Sequence, residues 1–237
     1  MKATMSRPKK RMAIRSRIPS SATEVITEKY PDGSRKEAEC FIRGRKAGAR
    51  SWYENGQLAD ETQFRNGRRH GIFREWHPNG QLLWQTTYRN GKEHGTSRQW
   101  SRRGKLLGTY RMNRGTGVDQ WWHEGGRLAE EHHWRNGEPH GFERWWWDEQ
   151  WGLSEERHWR DGVLHGIWRE WWAGRLRRGF PRFYVNAKRA PKLRYLRADA
   201  TDSSLPPYDP RDDRPQRSPS PGQSTGGTRR RRGGRGR

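Results

Sequence analysis

The chain has 237 residues, of which 29% are hydrophobic and 32% are charged, and its formal net charge is +23. This composition is too polar for one compact core of that length and predicts an extended or partly disordered molecule. A single cysteine, Cys40, excludes an intrachain disulfide and a cysteine-rich zinc site. No apolar run approaches the roughly 18 residues of a membrane span, so a cytoplasmic protein is expected. The acid-free start MKATMSRPKKRMAIRSRIPS is also compatible with a transit peptide.

Basic and aromatic residues occupy different parts of the chain. Residues 1–20 carry seven Lys or Arg and no acid, and residues 175–198 carry nine and no acid. All 15 Trp fall between Trp52 and Trp172. We therefore divide the chain into four parts: a disordered basic arm (1–23), a folded block (24–176), a basic capping segment (177–198) and a disordered tail rich in Pro, Ser, Gly and Arg (199–237).

The folded block is repetitive. FRNGRRHGIFREWHPNGQL, which begins at Phe64, recurs 24 residues later as YRNGKEHGTSRQWSRRGKL, which begins at Tyr88. Each unit has two turn signals: one ends in Gly, and the other is an aromatic-x-Asn-Gly-x-x-His-Gly phrase. Short runs between such turns predict β-hairpins, and a repeat of this length is typical of stacked units. The predicted fold is all-β: a single-layer antiparallel meander of about six hairpin units of 22 to 25 residues, with disordered basic termini.

The turn residues also predict a register. A three-residue loop that ends in a left-handed Gly tolerates Arg103 before Gly104 and is expected at both signals, with Asn113 in the left-handed position of YRMNRGTG. This loop places Trp76 opposite Leu82 and Trp84 opposite Thr96, which would gather the bulky residues on one core face. The predicted core face holds Ile72, Val118, Phe142 and Ile167; Trp76, Trp100, Trp122, Trp146 and Trp171; Leu58, Leu82, Leu106, Leu128 and Leu153; and Phe41, Phe64, Tyr88, Tyr110, Trp134 and Trp159.

These phrases resemble a known family. WYENGQL, WHPNGQL, FRNGRRHG, YRNGKEHG and WRNGEPHG are similar to MORN-variant repeats, as found in bacterial proteins of the YwqK-like antitoxin family. The resemblance covers about residues 24–176. It implies a hairpin array that serves as a binding scaffold, with the neutralisation of a partner toxin as one role, and it brings no catalytic residues.

Histidines recur in the His-Gly phrase, at His70, His94, His140 and His165. Equivalent positions two strands apart lie roughly 9.5 Å from each other, whereas two nitrogens on one zinc lie within about 4.2 Å. These four side chains therefore cannot share an ion, and neither a metal nor a cofactor is expected. Each is interpreted as closing a turn or packing beside an aromatic ring.

Pairs of adjacent acids recur as well, at Asp60 and Glu61, Glu130 and Glu131, and Glu155 and Glu156. Adjacent residues in a strand point to opposite faces of the sheet, so the two carboxylates of a pair cannot act on the same substrate atom. Asp60, Glu130 and Glu155 are instead expected to pair with Arg74, Arg98, Arg144 and Arg169. Because no catalytic motif is present either, an enzyme is not expected.

The later units add aromatic residues to the second sheet face. A partner-binding surface is predicted there, because exposed Trp and Tyr contribute much interface energy. Its predicted members are Trp121, His123, His133, Trp145, His158, Trp168 and Trp172. In the alternative interpretation, residues 180–197 fold back and cover these rings.

The chain ends in an Arg-Gly tract with Arg229, Arg230, Arg231, Arg232, Arg235 and Arg237. Such a tract binds nucleic acid through phosphates and stacking, or acts as a nonspecific polycation. Three functions therefore stay open. The first is a monomeric scaffold that binds a protein; the alternatives are a nucleic-acid-associated protein and a peripheral protein on anionic membranes.

Overall fold

The computed structural model describes residues 18–148 and 152–215. Within these ranges the chain forms one open antiparallel sheet whose strands follow each other in chain order. The predicted all-β meander is therefore confirmed. Among the residues that the structure describes, no helix is long and apolar enough to cross a membrane.

The sheet has 18 strands in the described ranges. The first nine are β1 (Thr23–Lys29), β2 (Arg35–Ile42), β3 (Arg45–Trp52), β4 (Leu58–Arg65), β5 (Arg68–Trp76), β6 (Leu82–Arg89), β7 (Lys92–Glu93), β8 (Gly95–Trp100) and β9 (Leu106–Asn113). The next nine are β10 (Thr116–Trp122), β11 (Leu128–Arg135), β12 (Glu138–Trp146), β13 (Leu153–Arg160), β14 (Val163–Leu164), β15 (Gly166–Trp172), β16 (Arg175–Leu176), β17 (Arg182–Val185) and β18 (Lys188–Ala190). They are followed by the helix α1 (Lys192–Asp199) and a 3-10 turn (Pro210–Asp213).

Two kinds of turn alternate along the sheet. At the first signal, the carbonyl of His77 accepts the N–H of Gly80 at 2.8 Å, and Gly80 has a φ of 78°. This is the predicted three-residue loop, and it places Trp76 opposite Leu82 as expected. At the second signal, Asn90 and Gly91 have φ of 52° and 84°, which defines a two-residue turn with both central residues left-handed. The predicted three-residue loop is wrong there.

The unit YRMNRGTG follows the same two-residue rule. Its turn residues are Arg114 and Gly115, with φ of 51° and 77°, whereas Asn113 is the last residue of β9. The prediction that Asn113 takes the left-handed position is therefore wrong. Arg114 is held at this strained φ because the pairing of β9 with β10 on either side of the turn fixes both strands in register.

The shorter second turn changes which residues share a face. Trp84 lies opposite Gln99 instead of Thr96. Because side chains alternate with a period of two, a shift by an odd number of residues exchanges the faces. The predicted core face is therefore divided: Ile72, Val118, Phe142 and Ile167 lie on one side of the sheet, and Phe64, Tyr88, Trp134 and Trp159 lie on the other.

One side, which we call the ion-pair face, carries a row of buried charges. Glu131, Arg144, Glu156 and Arg169 lie next to each other across β11, β12, β13 and β15. Arg144 Nε lies 2.8 Å from Glu156 Oε2, and Arg169 Nη1 lies 2.9 Å from Glu156 Oε1. Glu131 is 0% exposed. The row is the charged interior of this face, since buried charges need such partners.

The arginines therefore pair with the second acid of each adjacent pair. In the first half, Arg50 Nε lies 3.2 Å from Glu61 Oε2. Asp60, Glu130 and Glu155 lie on the opposite face, across from Glu75, Trp145 and Glu170 respectively. The predicted pairing of these three carboxylates with Arg74, Arg98, Arg144 and Arg169 is therefore wrong, for the same reason of register.

The predicted row of core indoles is largely confirmed. Trp76, Trp122, Trp146 and Trp171 are buried, and Trp100 is half-buried. The leucine row differs at one unit, where Leu107 is buried and Leu106 is 47% exposed. Leu106 lies opposite Trp100 directly after the loop, as Leu82 lies opposite Trp76 in the preceding unit.

The C-terminal end of the sheet carries a second layer. β17 and β18 form one more hairpin beside β15, and α1 then packs on the ion-pair face. A small core joins these elements and consists of Ile167, Phe183, Tyr195 and Leu205. The packed chain continues past the boundary placed at residue 198, because residues 199–215 include the buried Leu205 and the carboxylate of Asp213, which lies 3.0 Å from Arg169 Nε.

Candidate partner-binding face

Three of the seven predicted partner-binding residues lie together. Trp121 is in register with Glu130, which is in turn opposite Trp145, and Trp145 is opposite Glu155. Trp168 is two residues before Glu170, the partner of Glu155, and so points to the same side. We call this side of the sheet, with Trp84, Trp121, Trp145 and Trp168, the aromatic face.

Two of the predicted histidines lie on the opposite side. His133 and His158 project from the ion-pair face, two residues after Glu131 and Glu156. Their rings contact Phe142, with centroid distances of 6.2 Å and 5.0 Å. Burial lowers the pKa of the His158 imidazole to about 4, so this side chain is neutral at physiological pH. Their predicted place beside the indoles is therefore wrong.

His123 links adjacent hairpins. Its Nε2 donates to the carbonyl of Trp146 at 3.0 Å. The same connection recurs two and three units earlier, where His77 Nε2 donates to the carbonyl of Trp100 at 3.0 Å and the hydroxyl of Tyr53 donates to the carbonyl of Trp76 at 2.7 Å. At these three positions the polar side chain after a buried Trp ties one hairpin to the next, whereas in the intervening unit Gln99 Nε2 donates to the carbonyl of Trp122 at 2.7 Å. Each bond satisfies a carbonyl at the strand end.

Trp172 lies at the end of its strand. Its side chain is 60% exposed, and its ring packs edge-on against Trp147 with a centroid distance of 5.3 Å. This position lies beyond the row of indoles, at the end of β15, where Trp172 pairs with Arg175 across the turn between β15 and β16. It offers a matched control for experiments on that row.

The histidines of the His-Gly phrase also connect successive units. In each case Nδ1 accepts the backbone N–H of the first turn residue in the following unit: His70 from Asn90, His94 from Arg114, His140 from Asp161 and His165 from Asn186. Where the phrase lacks His, the hydroxyl of Thr116 accepts from Asn136 at 2.9 Å. In the described ranges, no group of three or more His, Cys, Asp or Glu is arranged to hold a metal ion.

Stacked rings and guanidinium groups run along the aromatic face. The rings of Trp84 and Trp121 meet edge to face at 6.0 Å. Further along, the Arg157 guanidinium lies between two indoles, 5.1 Å from the ring of Trp145 and 4.8 Å from that of Trp168. These arrangements hold the rings rigidly, which lowers the entropy cost of a contact made through them.

The segment 180–197 covers only one end of this face. Phe180 and Tyr184 contact Trp168 at ring distances of 5.6 Å and 6.2 Å. The chain then extends the sheet as β17 and β18 and crosses to the ion-pair face, where Tyr195 packs against Phe183. Trp121 and Trp145 remain half-buried. The alternative that this segment folds back over the whole row is therefore wrong.

Sequence reasoning missed the acids among these rings. On the strands β10 to β15, the aromatic face carries Asp119, Glu130, Glu143, Glu155 and Glu170. Several bond to neighbours; Trp134 Nε1 donates to Asp119 at 2.8 Å, and Trp159 Nε1 donates to Glu143 at 2.7 Å. The sequence contains a signal for this arrangement, because acids and aromatic residues alternate at positions of one face. The signal can be read only when the second turn is assigned two residues, since the turn length sets the face.

The first half of the aromatic face contains a facing carboxylate pair. Asp60 and Glu75 are opposite each other in β4 and β5. Burial raises the pKa of both carboxyls, and the charge of Asp60 raises that of Glu75 further. The six arginines of the predicted nucleic-acid-binding tract, Arg229 to Arg232, Arg235 and Arg237, lie outside the described residues.

Fold and site together define a β-hairpin repeat protein with indoles grouped on one face of the sheet. Two stretches of the chain, residues 49–66 and 69–90, match the MORN repeat variant. The structure continues the same alternation of turns in units beyond the two matched stretches. Comparison with curated proteins gives no match.

Proposed function

We propose that this chain is a non-catalytic repeat scaffold that binds a partner protein through the aromatic face of β10 to β15. The observation that supports this is the row of half-buried indoles, Trp121, Trp145 and Trp168. The hairpins of this sheet are joined by hydrogen bonds at both ends of their strands. Rigid Trp side chains are frequent centres of binding energy at protein interfaces.

Replacement of Trp121 and Trp145 by Ala tests this function. The tagged full-length chain is used to capture partners from its source cells, and the affinity for each isolated partner is then measured by calorimetry. Loss of two central indoles should weaken binding about 100-fold or more. Trp172→Ala serves as the control, because it removes an exposed indole off this row. A double variant that keeps its circular dichroism spectrum and full partner affinity would overturn the proposal.

The resemblance to the YwqK-like family supports a finer role, in which the partner is a toxin that the bound scaffold blocks. The test is growth of cells that express a captured partner. Growth arrest that is relieved by the wild-type chain, and not by the double Trp variant, would support this role. A captured partner without any effect on growth would contradict it.

A further inference from the structure

The aromatic face has the opposite charge to the chain as a whole. The chain has a formal net charge of +23, yet five carboxylates project from this face between β10 and β15. Four basic groups lie beside them. Arg157 bonds to Glu155 at 2.6 Å, and Arg177 bonds to Glu170 at 2.6 Å. His132 lies 3.1 Å from Asp119 and 3.6 Å from Glu130, and Arg182 lies 5.4 Å from the ring of Trp168. The carboxylates still outnumber the arginines. A face of this composition repels polyanions and attracts cations.

The chain itself shows how this face holds an arginine. The Arg157 guanidinium lies between the rings of Trp145 and Trp168 and donates to the Glu155 carboxylate. A cation over an indole face is attracted by the ring electrons, and a carboxylate beside it accepts its hydrogens. Indole and carboxylate on neighbouring strands are therefore the elements of an arginine site on this sheet.

The same elements occur in the middle of the face without a stacked arginine. Trp84 is opposite Glu75, and Trp121 is opposite Glu130. The centroids of the two indole rings lie 6.0 Å apart. Among the residues that the structure describes, no guanidinium lies over the ring of Trp121. The Glu130 side chain is 41% exposed and accessible to a ligand.

We propose that Trp84, Trp121, Glu75 and Glu130 form a binding site for an arginine side chain in an extended cationic segment of the partner protein. This inference rests on the proposed function, because it names the chemistry of the partner that binds the aromatic face. Charge complementarity selects the occupant: nucleic acid and anionic lipid would meet carboxylates, whereas arginine meets both of its preferred groups.

The geometry also suggests how such a segment is spaced. Trp121 and Trp145 lie two strands apart, which is roughly 9.5 Å at the usual strand separation. A peptide in the polyproline II conformation has three residues per turn and a rise of roughly 3.1 Å per residue, so every third side chain returns to the same side after about 9.3 Å. A segment that crosses the strands with a basic residue at every third position would place one side chain at Trp121 and the next among Glu130, Glu143 and Glu155.

The test uses the full-length protein and a synthetic peptide. An acetylated and amidated peptide of four Arg-Gly-Gly units is titrated by calorimetry and by tryptophan fluorescence, beside the same peptide with citrulline for arginine. We expect binding of the arginine peptide, weakened by added salt, and at least 10-fold weaker binding of the citrulline peptide, which keeps the shape and lacks the charge. Equal affinity for both peptides would overturn the proposal.

Two variants locate the site. Glu130→Gln should weaken arginine-peptide binding about 5-fold, and Trp121→Leu about 10-fold. Glu124→Gln and Trp172→Leu are the matched controls, since each removes the same group at an exposed position off the site, and both should bind as the wild type does. Equal affinity in Glu130→Gln, Trp121→Leu and wild type would overturn the assignment.

A third variant identifies the occupant. Replacement of Arg229 to Arg232, Arg235 and Arg237 by Gln should leave peptide affinity unchanged if the site serves a partner. Peptide binding that occurs only after this replacement would assign the site to the chain's own tract and overturn the partner assignment. The arginine peptide could fail to bind while the Trp121 and Trp145 double variant still loses its partner. That result would reject the arginine site and leave the scaffold function in place.

Discussion

The two ends of the sheet are covered by different amounts of chain. At the N-terminal end, the buried side chain of Ile18 lies over Gly48, and the edge strand β1 leaves Val25 48% exposed. At the C-terminal end, α1 and the segment after it cover Ile167 and Phe183 on one face of the sheet. Units of a repeat array bury surface mainly against their neighbours, so the terminal units depend on what lies outside the repeats. Within the described ranges, the array is therefore capped at its C-terminal end, whereas β1 forms an exposed edge strand at its N-terminal end.

The largest expected effect separates these two ends. Tyr195→Ala removes a fully buried ring that packs on Phe183 and donates to the carbonyl of Pro206 at 2.6 Å. We expect a loss of about 3–5 kcal/mol in the free energy of unfolding, measured by urea denaturation. Ile18→Ala should cost about 2 kcal/mol, because it leaves a smaller cavity.

Hydrogen exchange of the same two variants localises the effects. Tyr195→Ala should speed exchange in β15 and β17, and Ile18→Ala should speed exchange in β2, β3 and β4, where Gly48 and its neighbours pair. Exchange that rises uniformly along the sheet in both variants would remove the distinction between the ends.

Acid should loosen the C-terminal end through its buried imidazoles. Burial lowers the pKa of His158 to about 4 and also lowers that of His165. The unfolded chain therefore binds protons that the folded chain does not, and stability is full above the ordinary His pKa and falls as the pH drops toward 4. For His158 alone the loss reaches about 3 kcal/mol. Urea denaturation between pH 7.5 and 4 measures it.

His158→Gln should flatten this pH dependence, whereas His70→Gln, at the other end of the sheet, should retain it. The ring of His158 packs on Phe142 within the ion-pair face, so the variant also has a lower stability at pH 7. An unchanged slope in His158→Gln would show that the acid effect arises elsewhere.

The smallest effect concerns one turn in each half. Arg114 and Asn90 occupy the same left-handed position of their two-residue turns, with φ of 51° and 52°. Asn adopts this conformation more readily than Arg. Arg114→Asn should therefore raise the free energy of unfolding by about 0.5 kcal/mol, and Asn90→Arg should lower it by about the same amount. Thermal denaturation measures both, and equal midpoints in all three proteins would contradict the argument.

Local chemistry predicted much of this fold. Asn-Gly and Asp-Gly between runs with aromatic residues predicted the hairpins, and the buried Trp of each unit followed from the repeat. The second turn type could be read from Asn90 and Gly91, the pair that a two-residue turn prefers, but Arg103 before Gly104 favoured one longer loop for both signals. The predicted register depends on the loop length, so this longer loop placed His133, His158 and the first acid of each pair on the wrong face in the prediction.

One hairpin was missed although its signal was present. Tyr184, Val185 and Asn186 repeat the aromatic-x-Asn phrase, with Ala187 in place of Gly, and both turn residues have positive φ. The N–H of Asn186 bonds to His165 at 3.0 Å, as in the other units. The substitution of Ala at a left-handed position hid the unit, because that residue type rarely adopts this conformation.

The hairpins, their period and the residues that recur in them follow from local sequence, because turns and strand alternation depend on residues close together in the chain. Which side chains share a face, and how the ends are covered, depends on pairing between distant parts of the chain. Register accumulates from turn to turn, so one residue alters every later face, and the contact between Arg169 and Asp213 joins residues 44 positions apart. The acidic aromatic face is a product of that accumulated register.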